Sequence, residues 1–295
     1  MSSFKSNWQR NAPCSRYACT VLKASVRGTQ QPVRSSLPEP ALAGPLLILS
    51  PHLDDAALSC SALIERGSAA DVLTIFDGEP DPPRAGGWDR RTGFTDSASS
   101  MTVRRREDRA AFAGTPHRLA GLGLLDLQYA GHDRPPSDGE RIEIAVREWV
   151  EANRGGTVAA PIGAGRRRGR LRTWLEDRFG EHGATIQHPD HVLVRDIAVQ
   201  TAAGSPSVAL LLYEEVPYGT NAGTKPEVAA SAASAGRFFV PIEVEIDRES
   251  KARRISAYRS QMDHLFIGGN RLDEAAALPK VERYWHSTAV VAPSG

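Results

Sequence analysis

Leu46-Leu47-Ile48-Leu49-Ser50-Pro51-His52-Leu53-Asp54-Asp55-Ala56-Ala57-Leu58-Ser59 runs from an apolar stretch straight into a cluster of metal-ligand side chains. The apolar stretch follows the Gly44-Pro45 break and reads as a strand covered on both faces, while Asp54 or Asp55 caps the helix that Leu58, Leu63 and Ile64 suggest. The His-x-Asp-Asp cluster then stands at the carboxyl end of a strand, where open α/β sheets bind ligands. An imidazole and a carboxylate three residues apart can share one divalent ion, leaving the adjacent carboxylate to take a proton from water. A plainer reading, with both aspartates only capping the helix and His52 filling a turn, fits this segment equally well.

The balance shifts downstream. His188-Pro189-Asp190-His191 is a second dense cluster, and Val192, Leu193, Val194, Ile197 and Ala198 continue it as a helix that begins after the proline. It can supply a third ligand. His52, Asp55 and His191 complete the set of two histidines and a carboxylate that a mononuclear catalytic zinc site uses, with a position open to water.

With these two clusters the chain resembles the PIG-L/LmbE-like metal-dependent deacetylases, which remove acyl groups from N-acylated amino sugars and related conjugates. Pro51-His52-Leu53-Asp54-Asp55 and His188-Pro189-Asp190-His191 carry the resemblance, supported by Arg104 to Asp108, Pro161-Ile162-Gly163, Tyr213 to Tyr218, and Tyr258-Arg259-Ser260-Gln261. The resemblance implies one Zn2+ per chain on His52, Asp55 and His191, with Asp54 as general base. It makes His188 the group that protonates the amine or polarises the carbonyl, oriented by Asp190. It also implies that Arg104 and Glu107 bind substrate hydroxyls or brace the metal-bound loop. The acidic pair Glu214-Glu215 after Tyr213 reads as a rim that recognises hydroxyls or an amine, with Tyr213 and Glu214 expected at the substrate. Two departures stand out: an arginine-rich insert at 164–187, and Ile186 where some sugar deacetylases of the family place a tyrosine.

Apolar segments at Asp71–Phe76, Leu122–Tyr129, Thr157–Ala160 and Val208–Tyr213 read as strands. Helices are expected near Ile142–Ala152 and Val192–Ala202, and from about Thr102 onward. The alternation predicts a Rossmann-like three-layer α/β/α sandwich with a mostly parallel sheet, without the glycine fingerprint of a dinucleotide site. Phe238–Ile246 alternates as an edge strand or hairpin would, Lys251–Met262 suggests a late helix, and Trp88 and Phe94 are candidates for a pocket mouth.

Apolar residues make up 41% and charged residues 24% of the 295, and the formal charge is +1. That composition fits one α/β domain over 44–295, and the charge provides no field favouring nucleic acid, a membrane or a polyanion. Residues 1–43 are rich in Ser, Arg, Gln and Pro and read as a tail. Cys14, Cys19 and Cys60 are too few for a disulfide framework and are expected as thiols in a cytoplasmic enzyme. The expected activity is cleavage of an N-acyl bond in a small amino sugar or natural-product intermediate, with a thiol-conjugate amidase or a non-catalytic sugar- or nucleotide-binding module as alternatives. The oligomeric state is left open.

Overall fold

The computed structural model describes residues 33–34, 44–66, 68–131, 134–163, 188–205, 207–217, 231, 234, 236–267 and 269–288. The insert at 164–187, Cys14, Cys19 and most of the expected tail lie outside these residues.

Among the described residues, eight strands form one sheet: β1 (Val33–Arg34), β2 (Leu46–Ser50), β3 (Ala70–Thr74), β4 (Arg118–Gly121), β5 (Thr157–Pro161), β6 (Ala209–Tyr213), β7 (Phe238–Glu245) and β10 (Val281–Thr288). Their order is β1-β7-β10-β6-β5-β2-β3-β4, and β10 alone runs against the others. Strands β8 (Phe266–Ile267) and β9 (Asn270–Arg271) make a separate antiparallel pair. Helices are α1 (Asp55–Ser59), α2 (Ser61–Ile64), α3 (Gly87–Arg91), α4 (Ser97–Ala111), α5 (Leu127–Ala130), α6 (Pro136–Ala152), α7 (Pro189–Ala203), α8 (Arg248–Ile255) and α9 (Arg259–Met262).

The alternation of β2 produces the layering. Leu46 and Ile48 pack into a core cluster with α1, α2 and α8, whereas Leu47 and Leu49 face a second cluster built on α6 and α7. Helix α6 presents Ile142, Val146 and Val150 at four-residue intervals, all buried. Each fully buried side chain of this size is worth roughly 1.5–3 kcal/mol of apolar transfer. The chain proceeds from β2 outward through β3 to β4, then returns to the other side of β2 with β5 and continues to β6. The strand order reverses between β2 and β5, so a crevice opens at their carboxyl ends.

Several boundaries differ from the sequence reading. Leu122–Tyr129 is not a strand: β4 is the preceding, more polar Arg118–Gly121, an edge strand with exposed side chains. The apolar run then turns at Gly123, whose φ of +71° is left-handed, after which Leu124 and Tyr129 sink into separate core clusters. Helix α4 starts five residues before Thr102 because the Asp96 carboxylate accepts the Ser99 N–H and caps it. Phe238–Glu245 is interior, paired with both β1 and β10, and Val33 and Arg34 of the expected tail join the sheet there. No described helix is long and apolar enough to cross a membrane.

Beneath α4, the Tyr258 hydroxyl donates to Asp108 Oδ1 at 2.8 Å. Burial raises this carboxyl to about 7 even though the Tyr258 bond opposes it. Because the folded value is the higher one, this group's contribution is fully present below the ordinary carboxylate range and is lost as pH climbs through about 7. Asp108→Asn should therefore gain stability relative to the parent between about pH 5 and about pH 8, by on the order of 1–3 kcal/mol in urea unfolding. A parent–variant difference that stays constant across that range would contradict the burial of a charge here.

Candidate metal centre

Strand β2 ends at Ser50, whose hydroxyl donates to the His52 carbonyl at 2.6 Å and accepts the Ala56 N–H at 3.0 Å. The Asp55 carboxylate in turn accepts the His52 N–H at 2.8 Å. These three bonds fold the Pro51–Asp55 loop back on the start of α1 and bring both motif side chains to the crevice. Asp54 occupies the cap position of α1 but makes no capping bond, so its carboxylate is left to the cavity. In the second motif His188 likewise precedes α7 without capping it, and Asp190 and His191 lie in the first turn.

Three donors converge. Asp55 Oδ2 lies 3.2 Å from His52 Nδ1 and 3.3 Å from His191 Nε2, and one donor atom from each residue lies within 4.8 Å of the others. The remote ring nitrogens both face carboxylates: His52 Nε2 is 3.1 Å from Asp190 Oδ2, and His191 Nδ1 is 3.1 Å from Glu215 Oε1. Imidazoles backed by carboxylates are the usual outer shell of a metal centre, since the second contact sets the tautomer and aims the free nitrogen. His52, His188 and Asp190 form an overlapping group of comparable span. Both groups contain a histidine–carboxylate bond, but only in the Asp55-centred set is each histidine backed by a further carboxylate, so that set fits an ion better.

Outer contacts hold the frame. Asp190 also accepts the Leu127 N–H at 3.0 Å and Arg134 Nη2 at 2.6 Å, and the Arg134 guanidinium lies 4.3 Å from the centroid of the Phe76 ring. Glu215, fully buried, accepts the Gly163 N–H at 2.8 Å. Gly163 adopts φ +66°, and a Cβ there would meet Arg195 at 2.9 Å, so glycine serves both the turn and the packing.

The electrostatics favour a cation. Burial opposes charge on His52, yet Asp126, Asp190 and Asp55 outweigh it and hold its value well above the ordinary one. Burial likewise opposes charge on His191, but Asp55 and Glu215 raise it to about 9. Asp55 is pulled well below the carboxylate range against its own desolvation, by His191 and His52. A divalent ion can take the place of the protons that these imidazoles otherwise hold. The donor set, two histidines and one carboxylate, fits zinc.

The cavity beside these residues has a volume of about 270 Å³. Asp54, Asp55, His52, His188, Arg104 and Asp126 line it together with apolar Leu58, Val216 and Leu265. Burial raises the Asp54 carboxyl; Arg104, 3.8 Å away, opposes this and Asp55 adds to it. His188 is lowered to about 4 by burial and by the neighbouring His52 and His191, so it is neutral at ordinary pH.

No family model matches the chain. The 2'-N-acetylparomamine deacetylase of Streptomyces fradiae is 29% identical to it over 241 residues, which is 75% of this chain and 74% of that protein. Among solved structures, the zinc-inhibited form of teicoplanin deacetylase superposes with a TM-score of 0.55 at 22% identity, covering 84% of this chain and 100% of the other. The A40926 pseudoaglycone deacetylase does so with 0.55 at 24%, covering 84% and 98%. The chain is thus similar in sequence to one N-acetyl-sugar deacetylase and in fold to solved deacetylases, in keeping with the resemblance its two motifs carry. The solved structures share its fold, and the sandwich expected from the sequence is the one observed.

On this frame the expected residues separate. His52, Asp54, Asp55, His188, Asp190, His191 and Arg104 gather at the crevice. Asp190 stands 4.0 Å from His188 Nδ1, too far for a hydrogen bond, and orients His52 instead of His188. Glu107 turns away from the cavity: its carboxylate accepts the Ser260 N–H at 2.8 Å and hydroxyl at 2.6 Å. Tyr213 is fully buried, its hydroxyl donating to the Leu49 carbonyl at 2.8 Å, so it braces β2 and is not at a substrate. Glu214 accepts Trp285 Nε1 at 3.0 Å, pairs with Arg283, and lines a separate cavity of about 190 Å³. Phe94 is half-buried and does not line the main cavity, whereas Trp88 does.

Asp126 and Arg134 were not singled out from the sequence, and Glu215 was read with Glu214 as part of a substrate rim, not as the group behind His191. One signal existed for Glu215. It lies two residues after Tyr213 at the end of an apolar strand, so the same alternation that buries Tyr213 carries it inward.

Proposed function

We propose that the chain is a zinc-dependent hydrolase that removes the N-acetyl group from an amino sugar within a natural-product intermediate. The observation that carries this reading is the Asp55-centred triad with carboxylate-backed imidazoles, set beside an uncapped Asp54 in the same cavity. The S. fradiae relative, named for deacetylating 2'-N-acetylparomamine, supports the substrate class.

His52, Asp55 and His191 hold the ion. When bound, zinc supplies a Lewis acid that acidifies water and polarises an amide carbonyl. Asp54, whose carboxyl is raised by burial, takes the proton of the attacking water. As the C–O bond forms and the C–N bond breaks, that proton passes to the departing nitrogen, giving a carboxylate and a free amine. Neutral His188 faces the same cavity and offers a hydrogen bond to the carbonyl oxygen as negative charge grows on it. Arg104, 3.8 Å away, favours the ionised form of Asp54 against the effect of burial. Asp190 and Glu215 fix the two imidazoles from behind, and Arg134 fixes Asp190.

Zinc-loaded protein should release amine and acetate in equal amounts from an N-acetylated aminoglycoside or N-acetylglucosaminide. Metal binding without release from any sugar or thiol-conjugate amide would favour a binding module. Glu215→Gln should weaken zinc binding by about 10–100-fold in competition with a chromophoric chelator, because the amide cannot supply the charge behind His191. Unchanged affinity in the folded variant would remove Glu215 from the centre.

A further inference from the structure

Ser260 and Gln261 of the motif Tyr258-Arg259-Ser260-Gln261 belong with Glu107 to one hydrogen-bonded relay that ends on the cavity. Glu107 accepts from both the N–H and the hydroxyl of Ser260. The Ser260 hydroxyl, its proton committed to the carboxylate, can only accept from Gln261, whose Nε2 lies 2.7 Å away. That choice fixes the Gln261 amide and turns Oε1 toward the indole of Trp88, which donates to it at 2.5 Å. The Trp88 backbone N–H is held as well, donating to Gln128 Oε1 at 3.0 Å. Gln261 is fully buried, while Trp88 is half-buried and lines the cavity with Asp54 and His188.

Trp88 belongs to none of the core clusters, so the relay rather than core packing sets the orientation of its indole. Arg91 lies 5.4 Å from its ring centroid and the His264 ring stands T-shaped to it with centroids 6.2 Å apart, yet the indole still lines the cavity. The surrounding wall is of two kinds: Asp54, Arg104 and Asp126 are charged, and Leu265, Val216 and Pro217 are apolar. A pyranose ring has matching surfaces, with hydroxyls around its edge and polarised C–H bonds on its faces that pack against an aromatic ring. An acyclic amide offers no such face.

We propose that Trp88 is the specificity-determining residue, a preset indole platform for the C–H face of a sugar ring, held in orientation by the positioning residues Gln261, Ser260 and Glu107. This rests on the N-deacetylase reading and gives its substrate class as a cyclic sugar amide. The ordering of the indole is completed in folding, so ligand binding does not bear that entropy.

The test uses zinc-loaded parent, Trp88→Ala, Trp88→Phe and Gln261→Met, with methyl N-acetylglucosaminide and N-acetylethanolamine as cyclic and acyclic probes. Trp88→Ala should lower kcat/KM for the glucosaminide by about ten-fold, through KM, and leave the acyclic probe within about two-fold. Trp88→Phe and Gln261→Met should fall between, because one keeps a ring without the N–H and the other frees the indole. Metal content should not change. Equal losses on both probes would make Trp88 a packing residue, and no loss on either would remove it from recognition; each overturns the proposal. Calorimetric binding of the glucosaminide to Asp54→Asn protein, with and without Trp88→Ala, reads the platform independently of turnover. Binding that Trp88→Ala weakens, in a parent that cleaves nothing, upholds the platform and overturns the hydrolase reading; absent or undiminished binding overturns the platform.

Discussion

Asp54→Asn is expected to lower kcat for amine release by about three orders of magnitude while zinc remains bound at about one ion per chain. The carboxylate makes no capping bond, lies in the cavity and carries a value raised by burial, all of which suit a base and none of which the helix needs. Asparagine keeps the shape and cannot accept the water proton. The loss should appear in kcat more than in KM, since the proton is transferred only on the way to the transition state. Turnover within about ten-fold of the parent at full metal content would exclude Asp54 as the base. Asp55→Asn should show the opposite pattern, with metal lost first, because Asp55 Oδ2 is the oxygen that both histidines face.

His191→Ala should remove the ion. Elemental analysis should fall from about one zinc per chain to near zero, because two donors do not make a catalytic zinc site. The substitution also leaves Glu215 buried without its imidazole partner, so a folding defect has to be separated from a ligand defect. His191→Gln retains a polar group there and serves as the second variant. Zinc at 100 times its dissociation constant should stabilise the parent by about 2.7 kcal/mol and either variant not at all. A folded variant that binds zinc as tightly as the parent would overturn the ligand assignment.

The portion of the site within one helical turn was legible from the chain. His52 to Asp55 and His188 to His191 each place their donors on a single loop and first turn, so spacing alone brings them to one point. What spacing could not show was the far side of each imidazole. Asp190 reaches His52 across 138 residues and Glu215 reaches His191 across 24, and the two contacts exist only because β2, β5 and β6 lie side by side. Glu107 misled for a related reason. Helical periodicity puts it on one face with Arg104, but Ser260 of a distant segment captures its carboxylate before it can reach the cavity.

The sequence by itself determined the layered sheet and the two ligand clusters. Apolar runs with no polar alternation can be buried only between two layers, and side chains crowded at strand ends have nowhere to project but the crevice. Tertiary structure alone decided which carboxylates back the histidines, which aromatic lines the cavity, and that Tyr213 braces a strand. Those outcomes depend on strand order and on hydrogen bonds between segments far apart in the chain. A residue's identity states what bonds it can make, while the partner that completes them is set by how the strands are ordered in the sheet.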